Sequence, residues 1–102
     1  MIEIDITKTK TEHTEQLTLQ VYCIVRCRGF CSISFTKDGK EISSSNDPRV
    51  NVTYDLQPKQ EDRIVLTVKN LTLNDSGNYR CAIRDIGGQT VFGSINITVR
   101  SK

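Results

Sequence analysis

This sequence predicts an all-β fold: an antiparallel β-sandwich of seven to nine short strands in two sheets. Three observations carry the expectation. Apolar and polar residues alternate with a period of two along most of the chain. Turn-forming dipeptides separate these runs, and no window of eleven or more residues keeps a helical apolar stripe. Four cysteines fall within only 102 residues, which suits a small core braced by disulfides.

The strands follow in order. Ile2, Ile4 and Ile6 alternate with Glu3, Asp5 and Thr7. Leu17, Leu19, Val21 and Cys23 alternate with Thr18, Gln20 and Tyr22, and Val25 keeps the parity. Ile33 and Phe35 make a third strand, ended by Asp38-Gly39, a strong hairpin signal. Val50, Val52 and Tyr54 mark the next, then Ile64, Leu66 and Val68. Asn74-Asp75-Ser76-Gly77 is turn-rich and predicts one helical turn near Leu71 to Ser76. Tyr79, Cys81 and Ile83 form a strand that turns at Gly87-Gly88, and Ile95, Ile97 and Val99 form the last. Ser43 to Pro48 and residues 57–62 read as loops.

Length and composition suit a single domain over residues 1–102. The charged fraction is 25% and the net charge only +2, with acids and bases interleaved. That balance argues against a nucleic-acid or anionic-membrane binder. The N-terminal residues lack the pattern of a signal peptide, and no apolar run reaches membrane-spanning length. The expectation is a piece of a longer secreted or membrane-anchored protein, tethered through segments outside this chain.

The strongest constellation is Leu66-x-Val68-x-x-Leu71-x-x-x-Asp75-x-Gly77-x-Tyr79-x-Cys81. It resembles the segment joining the fifth and sixth strands of immunoglobulin-superfamily domains. Cys81-x-Ile83-x-Asp85-x-x-Gly88 is similar to the following hairpin of the intermediate set. The resemblance implies an immunoglobulin-like sandwich with Greek-key connections, intermediate-set or variable-like. It implies that Leu66, Val68 and Leu71 face the core and that Gly77 makes a tight turn. It further implies that the Tyr79 hydroxyl ties down nearby backbone, that Asp75 pairs with Arg49, and that Cys81 bonds Cys23 across the sandwich.

Two departures stand out. The family's tryptophan on the third strand is absent, and Phe35 takes its slot twelve residues after Cys23. Phenylalanine keeps the ring but loses the indole N–H and some buried area. The second departure is the extra pair Cys27 and Cys31. Four cysteines allow three pairings. On the fold that the resemblance implies, strand parity points both extra cysteines between the sheets, and the expected second bond is Cys27–Cys31. It either preorganises a recognition loop or staples packing lost with the tryptophan.

No catalytic group is evident, so an enzyme is not expected. His13 is the only histidine and lies in a polar stretch, and the carboxylates form no matched pair. C-x₃-C is not zinc-ribbon spacing, so neither metal nor cofactor is expected. Four N-x-S/T sequons occur, at Asn51, Asn70, Asn74 and Asn96. Chance supplies about one in an ordinary chain of this length. Asp75 makes Asn74 the poorest acceptor, and Asn96 is expected to point out from the sheet formed by the third, sixth and seventh strands.

That sheet is the one the family most often uses for protein binding. Its outward residues here include Ser34, Thr36, Arg80, Ala82, Arg84, Asn96 and Thr98, a polar set without an anchor. The loop tips offer more. Arg28, Phe30, Arg84 and Ile86 gather at one end of the implied fold and could form a hot spot. Alternatively, Phe30 folds over the core rim and Ile86 caps a hairpin.

The expected function is an extracellular protein-binding module of a cell-surface adhesion or recognition receptor. Its partner would be another protein ectodomain, a copy of itself included. The missing tryptophan and extra cysteines resemble fast-diversifying recognition receptors, invertebrate allorecognition proteins among them. The alternatives are a ligand-binding domain of a receptor kinase or cytokine receptor, and an intracellular structural domain of a muscle or cytoskeletal protein.

Overall fold

The computed structural model describes residues 3–27, 29–55 and 61–102. Among the described residues nine strands run in chain order: β1 (Glu3–Asp5), β2 (Glu12–Thr14), β3 (Leu19–Arg26), β4 (Cys31–Lys37), β5 (Lys40–Glu41), β6 (Val50–Asp55), β7 (Asp62–Val68), β8 (Gly77–Asp85) and β9 (Thr90–Arg100). They form a four-stranded sheet, β1-β3-β7-β6, and a five-stranded sheet, β2-β9-β8-β4-β5. A 3₁₀ turn, Leu73–Asp75, connects β7 to β8.

The period-two pattern explains the layers. Leu19, Val21, Cys23 and Val25 of β3 and Ile64, Leu66 and Val68 of β7 are buried. They meet Phe35 of β4, Tyr79, Cys81 and Ile83 of β8, and Ile97 and Val99 of β9 in one core. Each fully buried aliphatic or aromatic side chain contributes about 1.5–3 kcal/mol. The β4–β5 hairpin turns on Asp38 and Gly39, both at positive φ, which suits an Asp-Gly pair.

The first strand divides between the sheets. β1 pairs antiparallel with β3, whereas β2 pairs parallel with β9. Between them Ile6 is buried, and the buried Thr9 hydroxyl accepts the Tyr22 N–H at 2.9 Å.

Two apolar positions depart from the expected alternation. Leu17 is exposed, because it belongs to the turn that its N–H closes on the Thr14 carbonyl rather than to β3. Tyr54 is exposed at the far end of edge strand β6. The opposite sheet ends there in β5, only two residues long, so little of that sheet reaches over Tyr54. Ile2 and most of the 57–62 loop lie outside the described residues.

Candidate functional site

The two ends of the sandwich have different character. At the end carrying the β4–β5 turn, polar groups are locked together. Arg49 donates from Nη1 to Asp75 Oδ2 at 2.8 Å and from Nη2 to Asp75 Oδ1 at 3.0 Å. Its Nη2 also reaches Asp47 Oδ2 at 3.1 Å. Asp75 accepts the Thr72 N–H as well, at 2.8 Å. Burial would raise the Asp75 carboxyl, but the hydrogen bonds from Arg49 and Thr72 hold it below the usual carboxylate range. The hydrogen bonds to Asp75 and Asp47 push the Arg49 guanidinium up.

Tyr79, only 1% exposed, donates its hydroxyl to the Asp75 carbonyl at 2.7 Å. Burial pushes this phenol up. Gly77 opens β8 at φ +155°, and a Cβ there would lie 2.5 Å from Asp38 Oδ2. The Asp38 carboxylate accepts the Asn78 N–H at 2.9 Å, so the glycine leaves room for that clamp. These groups position the core.

The opposite end carries the loops. A disulfide joins Cys23 to Cys81 across the core, with Cα atoms 6.5 Å apart. A second joins Cys27 to Cys31, also at a Cα separation of 6.5 Å, and staples the β3–β4 loop. Both cysteines of the second bond are half-buried against the core. Phe35 lies opposite Cys81 in the β4–β8 ladder and is buried.

Register brings the two loop tips together. Cys31 pairs with Asp85, so Phe30 and Ile86 both lie just beyond the last rung of the β4–β8 ladder. Phe30 is 84% exposed and Ile86 86% exposed. Neither folds back onto the core. The β8–β9 turn is held by the Asp85 N–H on the Gln89 carbonyl at 3.0 Å and the Gln89 N–H on Asp85 Oδ1 at 2.8 Å. Arg84 is exposed one rung below, beside Ser32. Arg28 lies outside the described residues. Two apolar side chains are therefore presented between a cross-linked loop and a hydrogen-bonded hairpin.

The outer face of the five-stranded sheet needs a correction. It is not uniformly polar, because Phe92 is 57% exposed there, opposite Ala82. The Arg80 guanidinium lies 4.2 Å from its ring centroid. Such an exposed cation–π contact is worth about 0.5–1 kcal/mol. The signal was present in the sequence. Extending the parity of Ile95, Ile97 and Val99 upstream turns Val91 and Gly93 inward and Phe92 outward. Asn51, Asn70, Asn74 and Asn96 are all exposed, and Asn96 accepts from Asn78 Nδ2 at 3.0 Å. His13 Nε2 is 2.7 Å from the Lys10 carbonyl oxygen.

The sequence matches the family model of the immunoglobulin I-set domain over residues 2–99. No curated protein sequence matches it. Among solved structures, the chain is similar to the Ig1-2 module of the Drosophila receptor protein tyrosine phosphatase DLAR. The TM-score is 0.80 at 23% identity, covering 99% of this chain and 50% of that one. The BTLA ectodomain gives 0.75 at 20% identity, covering 98% and 99%. Titin domains Z1Z2, solved in complex with telethonin, give 0.76 at 18% identity, covering 99% and 48%. The chain thus spans about half the length of the DLAR and titin fragments. At these identities the likenesses show the fold.

Proposed function

The chain belongs to the immunoglobulin I-set family, and from that premise we propose that it is an extracellular protein-binding module of a cell-surface adhesion or recognition receptor. One observation carries this reading: Phe30 and Ile86 stand exposed together just beyond the last rung of the β4–β8 ladder, on loops fixed by a disulfide and a hydrogen-bonded turn. A preorganised apolar pair loses little conformational freedom on docking and gains the burial of both side chains. Its partner is another protein ectodomain, and a second copy of this chain is the first to test. Arg84 supplies a charge at the rim of that contact.

The paired cysteines support the extracellular part of this reading. No cysteine is free among the described residues. Paired cysteines suit an oxidising compartment. The DLAR and BTLA likenesses, to a receptor phosphatase and an ectodomain, lean the same way. The titin likeness favours the second reading, an intracellular structural domain.

Redox state separates the two. The chain is produced behind a secretion leader in animal cells and alkylated before and after reduction. The extracellular reading expects secreted protein that takes up alkylating reagent only after reduction. Four reactive thiols in native protein would sink it. Sedimentation over a range of concentrations then tests self-recognition, which predicts a concentration-dependent dimer.

A further inference from the structure

The sequons are not scattered over the sandwich. Asn51 pairs with Thr67, one rung from the Val50–Val68 pair that ends the β6–β7 ladder. Asn70 follows two residues after β7, at φ +50°, a conformation that asparagine tolerates. Asn96 pairs with Asn78, whose N–H is bonded to Asp38 of the β4–β5 turn. All three belong to the half of the sandwich away from Phe30 and Ile86. Seven residue steps along β8 separate the Asn78 rung from the Asp85 rung, about 23 Å at roughly 3.3 Å per residue. That is half of the 43 Å long dimension.

Asn51, Asn70 and Asn96 are all exposed, and strand parity turns two of them outward. Val50 and Val52 face inward, which turns Asn51 out from the four-stranded sheet. Ile97 and Val99 are buried, which turns Asn96 out from the five-stranded sheet. The bond from Asn78 uses the Asn96 amide oxygen and leaves its nitrogen for another substituent. Asn74 is different. Its sequon places Asp75 directly after the asparagine, and that carboxylate is committed to Arg49.

We propose that Asn51, Asn70 and Asn96 carry N-linked oligosaccharides, which form a belt around one half of the sandwich and leave the Phe30–Ile86 tip bare. The inference rests on the extracellular reading. In the modification, the asparagine amide nitrogen attacks the anomeric carbon of an oligosaccharide linked to a lipid diphosphate. A C–N bond forms, the C–O bond to the diphosphate breaks, the lipid diphosphate leaves and one amide proton goes to a base. The belt occupies both outer faces and one corner, so a partner meets the domain end-on.

The test uses protein secreted from animal cells and treated with peptide-N-glycosidase in ¹⁸O-water. Intact mass is expected to fall, and the label is expected on peptides bearing residues 51, 70 and 96. Asn51→Gln, Asn70→Gln and Asn96→Gln should each remove one glycan. Thr53→Ala and Thr98→Ala should do the same for two sites while leaving the asparagines in place, which guards against a folding defect. Secreted, disulfide-bonded protein whose mass the glycosidase leaves unchanged would overturn the belt and spare the extracellular reading. Label missing from any of the three sites overturns the belt as drawn. Protein retained in the cell with reactive thiols overturns both.

Discussion

Arg49 grips Asp75 through two parallel hydrogen bonds of 2.8 and 3.0 Å, joining the residue before β6 to the turn before β8. Asp75 is 8% exposed, so its charge depends on that partner. Arg49→Ala leaves a nearly buried carboxylate without its cation. The expected cost is about 2–3 kcal/mol, below the range for fully buried pairs because Arg49 reaches solvent. A lowered urea midpoint at an unchanged m-value checks it.

The same pair sets a pH dependence. Desolvation raises the Asp75 carboxyl, but the bonds from Arg49 and Thr72 bring it below its ordinary value in the folded state. A depressed folded value means that the unfolded chain takes up the proton first. The stabilisation is therefore complete above about pH 4, where the unfolded carboxyl is ionised, and is lost as pH falls through the folded value. Asp75→Asn should be less stable at neutral pH and lose less on acidification. Urea titrations at neutral and acid pH compare the two slopes.

Tyr79 tests the other tie at this corner. Tyr79→Phe keeps the buried ring and removes only the hydroxyl that satisfies the Asp75 carbonyl. The expected loss is about 1–2 kcal/mol, a bond plus an unsatisfied carbonyl. Because burial pushes the phenol up, its ultraviolet ionisation step should appear only with alkaline unfolding.

Why these elements were legible is a matter of local signal. Alternation along 19–25, 64–68 and 79–83 marks inward faces without any knowledge of neighbours. Arg49–Asp75 and Tyr79 were legible only through the family resemblance, since 26 residues separate the pair in sequence. Leu17 and Tyr54 misled for a different reason. Leu17 keeps the parity of a strand but lies in the turn before β3, and Tyr54 is in a strand but its burial depends on what the other sheet places opposite; alternation carries neither fact. The division of the first strand into β1 and β2 left no pattern, because Thr9 replaces a ladder bond with a side-chain bond. Phe92 was readable by parity, but its contact with Arg80 depends on the β8–β9 register.

The two disulfides should differ in weight. Their sequence separations are 58 and 4. Loop-closure entropy then gives about 4 kcal/mol for Cys23–Cys81 and about 2 kcal/mol for Cys27–Cys31. The Cys27→Ser/Cys31→Ser double variant should stay folded, with a modestly lower melting temperature. Hydrogen exchange should quicken in residues 27–31 and hardly change in β7.

Gly77 faces the end of the Asp38 side chain. A Cβ 2.5 Å from Asp38 Oδ2 must push the carboxylate off the Asn78 N–H, and φ +155° adds backbone strain. Gly77→Ala should cost about 1–3 kcal/mol, as overpacking does. Adding Asp38→Ala removes the clash but not the strain, so only part of the loss should return. Full recovery in that double variant would place the whole penalty in the clash.

The tip carries the functional prediction. Phe30 and Ile86 bury almost nothing in the folded chain, so truncating both should change stability by no more than about 0.5 kcal/mol. In a complex each would bury most of a large apolar side chain, worth about 1.5–3 kcal/mol. Phe30→Ala/Ile86→Ala should therefore weaken self-association, or binding to a partner found by an ectodomain screen, at least tenfold. Phe92→Ala removes a comparable apolar area from the sheet face and serves as the contrast. Loss of binding with Phe92→Ala and none with the tip variant would move the contact from the end of the sandwich to the face of the five-stranded sheet. Loss with the tip variant alone keeps it at the end, where the stapled loop and the β8–β9 hairpin already hold both side chains in place.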